Sequence, residues 1–105
     1  MKIAIPVAAN YVSSTFHKAD EIILIETKEK EILSKSTLDV HLFNLVERID
    51  TLIHQEIDIV ICNSIDNKSN LELNERGINI MPHISGDVDN VIERYHDNNL
   101  YFIHC

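Results

Sequence analysis

The segment Ile57-Asp58-Ile59-Val60-Ile61-Cys62 constrains this chain more than any other. It is short, and β-branched residues occupy both of its alternating sides. A strand of that kind is buried on both faces, so it needs a covering layer above and below the sheet. Its neighbours can supply those layers. Before it, Leu42, Leu45, Val46, Ile49, Leu52 and Ile53 recur at three- and four-residue steps. That spacing predicts an amphipathic helix over Val40–His54 with Asp39 as its N-cap. After it, Asn67–Arg76 reads as a weaker helix capped by Asp66 and ended by Gly77, the residue suited to a left-handed stop. Ile78–Met81 then reads as a strand closed by Pro82. Ser85 or Asp87 caps a last helix with Val88, Val91, Ile92 and Tyr95 on its apolar face.

The first third of the chain is different. Lys2–Val7, Glu21–Glu26 and Glu31–Thr37 read as strands, with a small, polar loop over Ala8–Phe16 and a charged turn over Thr27–Lys30. The turn is short enough for a hairpin. The order is therefore βββαβαβα: an α/β fold with a mixed five-stranded sheet flanked by helices, of ribonuclease-H-like type. A length of 105 residues suits one domain over 1–105. Right-handed crossovers place the last two strands parallel to the first. Ligands in such sheets sit beyond the carboxyl ends of the parallel strands. Pro6–Ala9, Cys62–Ile65 and Pro82–Gly86 end at that rim, and Asn10–His17 lies beside them. The apolar tail Leu100–Ile103 could add an edge strand, fold onto the core, or pair two copies as a homodimer.

Charge narrows the function. Nine Lys+Arg against seventeen Asp+Glu leave a net charge of −8, which argues against a nucleic-acid or anionic-membrane partner. No apolar stretch approaches the roughly 20 residues of a membrane span. The start runs directly into a strand without the apolar region of a signal peptide, so a cytoplasmic chain is expected. Cys62 and Cys105 are expected to be free thiols there. The sequence contains no Gly-rich phosphate loop, nucleophile elbow, CxxC or HExxH pattern. A ribonuclease-H-type nuclease would need strand carboxylates at the rim. The first strand offers Ile3, Ile5 and Val7 instead, and Asp58 stands only at the entrance of the fourth.

What remains at the rim is His17, Cys62 and His83, with Ser13, Ser14, Thr15, Asn63 and Ser64 around them. Imidazole nitrogen and thiolate sulfur suit iron, zinc or an iron–sulfur cluster. Cys62 also reads as a small core residue at the end of a buried strand. His41, His54 and His96 read as surface residues, and His104-Cys105 as a frayed end.

The segments MKIAIPV, VSSTFHKAD, DIVICNSI and L-x-x-RGINI, followed by a glycine four residues after Pro82, occur in that order. Together they resemble the dinitrogenase iron–molybdenum cofactor biosynthesis family, the NifX-like proteins that also form the C-terminal domain of NifB. The resemblance runs from Met1 to about Leu100. It implies the same ribonuclease-H-like fold and a non-enzymatic carrier of an iron–sulfur or iron–molybdenum cofactor or its precursor. Thr15 stands where the family has His, and His17 where it has Gly; in an extended segment the two share a face. Asn63-Ser64-Ile65-Asp66 replaces the family's Gly-Gly-Ile-Gly turn, while Gly77 and Gly86 match.

On this reading His17, Cys62 and His83 hold the metal. Ser13, Ser14, Thr15, Lys18, Asn63, Ser64, Ser85 and Gly86 contact the cofactor, with Lys18 and Lys68 supplying positive charge. The partners are then the metal cofactor and a donor or acceptor protein of cofactor assembly. An interaction or regulatory module that has lost the cofactor site is the second reading. A small-molecule enzyme using rim histidines as acid or base is the third.

Overall fold

The computed structural model describes residues 1–29 and 31–96, and only the backbone of Tyr95 and His96. Lys30, the tail Leu100–Ile103 and His104-Cys105 lie outside the described residues. The strands are β1 (Lys2–Ala8), β2 (Tyr11–Val12), β3 (Glu21–Lys28), β4 (Glu31–Asp39), β5 (Ile59–Ile61) and β6 (Asn79–Met81). The α-helices are α1 (Leu45–His54), α2 (Asn67–Glu75) and α3 (Val88–His96), and a 3-10 turn over Phe16–Lys18 carries His17, so Thr15 and His17 do not share the extended segment expected of them. The main path of the sheet runs β4-β3-β1-β5-β6. β1, β5 and β6 are parallel, while β3 pairs antiparallel with both β1 and β4. This is the mixed sheet and strand order expected of a ribonuclease-H-like fold.

Alternation along the strands builds three layers. Ile3, Ile5 and Val7 of β1, with Ile59 and Ile61 of β5, face Val88 and Val91 of α3. Ala4, Val60 and Cys62 point the other way, toward Ile49 and Leu52 of α1 and Leu73 of α2. Burying each Ile, Leu or Val stabilises by about 1.5–3 kcal/mol relative to exposure. No helix among the described residues is long and apolar enough to cross a membrane.

The structure differs from the sequence reading at several boundaries. The loop over Ala8–Phe16 contains a sixth strand, β2, which pairs Val7 with Val12 and Ala8 with Tyr11. Ala9 and Asn10 both take positive φ, 50° and 69°, as a two-residue hairpin turn requires. α1 starts at Leu45 rather than Val40, because Asn44 and Glu47 form a reciprocal capping box. Asp39 does not cap it; it ends β4 and binds His41 instead. Leu42 and Val46 are accordingly exposed and not part of the buried stripe. At α2, Asp66 accepts the Ser69 N–H, and Gly77 takes φ 82°, as expected. Asp87, rather than Ser85, accepts an N–H of α3, that of Asn90.

Candidate functional site

β5 stops at Ile61, and β2 takes over the same edge of β1 beyond it. Three segments therefore crowd the rim. The first follows β2: the Ser13 N–H donates to the Pro6 carbonyl (2.9 Å), and the Phe16 N–H donates to the Ser64 carbonyl (2.9 Å). Thr15 and Ser64 form a parallel bridge. The second is 62–66. The third is 82–88, whose His83 N–H donates to the Asn63 carbonyl (2.8 Å) and whose Gly86 carbonyl accepts the Val12 N–H (3.0 Å). The loop of His17 and the turn of His83 thus attach to adjacent residues, Ser64 and Asn63. Both histidines are exposed, as are Ser14, Lys18, Ser64, Ser85 and Gly86, while Asn63 is half-buried. The structure brings all of these to one rim.

Not every expected contact is on that surface. Cys62 is fully buried between the sheet and the α1–α2 layer, since it has the same parity as Val60. Burial pushes its thiol up to about 11, so a thiolate is disfavoured there. Ser13 is also buried; its N–H is committed to Pro6, and its hydroxyl donates to the Thr15 carbonyl (2.7 Å). Both residues hold the rim together rather than face a ligand. Among the described residues, no three His, Cys, Asp or Glu side chains come together as a metal-holding group, so His17, Cys62 and His83 do not form one. Thr15, expected to contact the cofactor as well, is half-buried, and its hydroxyl is buried without a hydrogen-bond partner, so that hydroxyl does not face the rim surface either.

His83 is itself unusual. It takes φ 65° directly after Pro82, a place where turns favour Gly or Asn. Asp66 lies near His17. Burial works against its charge, but the Ser69 N–H and hydroxyl, its own amide and the His17 imidazole together hold its carboxyl below the usual range.

Arg48 of α1 is a feature the sequence reading missed. Although 4% exposed, it donates from Nη1 to the Ala19 carbonyl (2.6 Å), from Nη2 to Val40 (2.9 Å) and from Nε to Phe43 (3.0 Å). Burial lowers its pKa from the ordinary arginine value, with the Asp20 carboxylate acting in the opposite sense. The signal was available: position 48 falls on the same helical stripe as Leu45, Ile49 and Leu52.

The rim lies where the resemblance puts a cofactor, and residues 1–98 match the family described as dinitrogenase iron-molybdenum cofactor. The chain belongs to this family. Among solved structures, the protein PH0822 is similar with TM-score 0.87 and 17% identity, over 93% of this chain and 90% of that one. A protein of Methanocaldococcus jannaschii, provisionally named a dinitrogenase, gives TM-score 0.76 and 19% identity, over 93% and 89%. The apo form of the orange protein of Desulfovibrio gigas gives TM-score 0.75 and 14% identity, over 92% and 88%. At these identities the likeness is one of fold. No curated protein matches the chain by sequence.

Proposed function

We propose that this family member binds and carries a metal cofactor of iron–sulfur or iron–molybdenum type, or its precursor. The cofactor is cargo, received from one protein of cofactor assembly and passed to another in the cytoplasm without a catalytic step. The observation that carries this reading is the joining of three rim segments, in which exposed His83 and Phe16, the residue before exposed His17, bond to the neighbouring Asn63 and Ser64. Imidazole nitrogens suit iron, and the exposed hydroxyls of Ser14, Ser64 and Ser85 can donate to cluster sulfides. Lys18 offsets cargo charge in a chain of net charge −8. With the Cys62 thiol buried, the exposed imidazoles would hold a cargo at few coordination points and release it readily.

Anaerobic titration with ferrous iron and sulfide tests this, followed by gel filtration with visible absorption and iron counting. Iron and colour should move with the protein, and a His17→Ala/His83→Ala variant should lose both. A colourless, iron-free peak from the wild type would sink the carrier reading. It would favour the interaction module, which the buried Cys62 and the lack of a three-ligand group among the described residues already support.

A further inference from the structure

We infer that Arg48 is a positioning residue for the cargo loop, acting through backbone carbonyls without touching the cargo; this rests on the carrier reading above. The loop 13–20 has two anchors. On one side, the Ser13 and Phe16 N–H groups bind Pro6 and Ser64. On the other, the Ala19 carbonyl is taken by Arg48, the Asp20 N–H donates to Val7 (3.0 Å), and the Asp20 carbonyl accepts the Val40 N–H (2.9 Å). The exposed Ser14, His17 and Lys18 lie between these anchors.

The placement of Arg48 is unfavourable by two measures, which points beyond packing. Its charge is buried, and it stands four residues into α1, near the end where the helix dipole disfavours a cation. Among the described residues it forms no salt bridge, although the Asp20 carboxylate acts on it, and carbonyls alone accept its hydrogen bonds. An apolar residue here would simply extend the stripe of Leu45, Ile49 and Leu52. The guanidinium does what that residue could not. Its rigid fork binds three carbonyls from three places at once: the end of the cargo loop, the end of β4 and the residue before the α1 cap. A lysine has no such fork.

The test compares the wild type with Arg48→Lys and Arg48→Met. Ile25→Ala, at the far end of the sheet from the rim, serves as a destabilised control. Hydrogen exchange is read at the Ala19 and Asp20 amides, and anaerobic iron–sulfide binding is read by iron counting at varied ligand concentration. Both Arg48 variants should exchange those two amides at least tenfold faster, relative to the β1 and β5 amides, and bind cargo at least tenfold more weakly. Ile25→Ala should lower Tm yet bind as the wild type does. Loop exchange unchanged relative to the sheet overturns the inference, as does cargo affinity that merely follows Tm across all three variants. A wild type that binds no iron removes the carrier reading, and with it the cargo role of Arg48. The exchange result then still shows whether the clamp itself exists.

Discussion

The Cys62 thiol stays protonated in the fold because burial opposes its ionisation, raising its pKa from 9.0 to about 11. In the unfolded chain it ionises near its ordinary value. Between these two pH values the unfolded state therefore binds fewer protons than the native state, and stability falls as pH rises. The full stabilisation is present below about pH 9, and about 2–3 kcal/mol is lost by pH 11. Urea unfolding at pH 8 and pH 11 should show this loss in the wild type and a smaller one in Cys62→Ala. Equal losses would place the thiol in contact with water. His83 poses the opposite case, an exposed side chain on a strained backbone. His83→Asn should raise stability by about 0.5 kcal/mol, because asparagine tolerates the left-handed region better, while iron binding falls. A lower Tm would mean that the imidazole stabilises the fold. At this scale the sequence was legible as to residue type but not orientation. Cys62, at the end of a strand, read both as a core residue and, through the family resemblance, as a donor; one residue of alternation decides for the core. For Ser13, too, only the fold shows that its N–H and hydroxyl are already committed to Pro6 and Thr15.

Helix boundaries show which local signals outrank others. Asp39 and Asn44 are both good N-cap residues, and the apolar spacing from Leu42 onward made Asp39 attractive. Asn44 prevails because Glu47 stands three residues later and returns a bond to the Asn44 N–H (3.0 Å). Asp39 is instead held by the His41 ring (2.6 Å), and that hydrogen bond lowers its carboxyl below the usual range. Asn44→Ala should therefore destabilise the protein by about 1 kcal/mol, read as a shift in the urea midpoint, whereas Asp39→Ala should leave helix content by circular dichroism unchanged. Loss of helix on removing Asp39 would restore the earlier start. α2 was legible at both ends because a single Asp and a single Gly mark them. β2 was not, since two residues carry no periodicity. Only the paired positive φ of Ala9 and Asn10 explains why Tyr11–Val12 folds back onto β1.

Over the whole molecule, the buried core and the proposed cargo rim occupy different parts of one sheet. The two apolar layers meet on β1 and β5, whose central residues are almost fully buried, so these strands should open only on global unfolding. The rim is held differently, by single hydrogen bonds between segments distant in sequence, such as Phe16 to Ser64 and His83 to Asn63. The strand order was legible from the alternation of periods along the chain. The pairing of rim loops was not, because nothing local in Ser64 or Gly86 signals partners as distant in sequence as Phe16 and Val12. A cargo seated on the three segments would tie them to one another and favour the native state by mass action. At a hundredfold excess over its Kd this amounts to about 2.7 kcal/mol. Native-state hydrogen exchange should locate that gain. On adding iron and sulfide anaerobically, the amides of Phe16 and His83 should slow by roughly tenfold or more, while the Val60 amide of β5, limited by global opening, should slow only in step with overall stability. Protection confined to the far end of the sheet, around Lys2 and Gln55, would move the binding site away from the rim altogether.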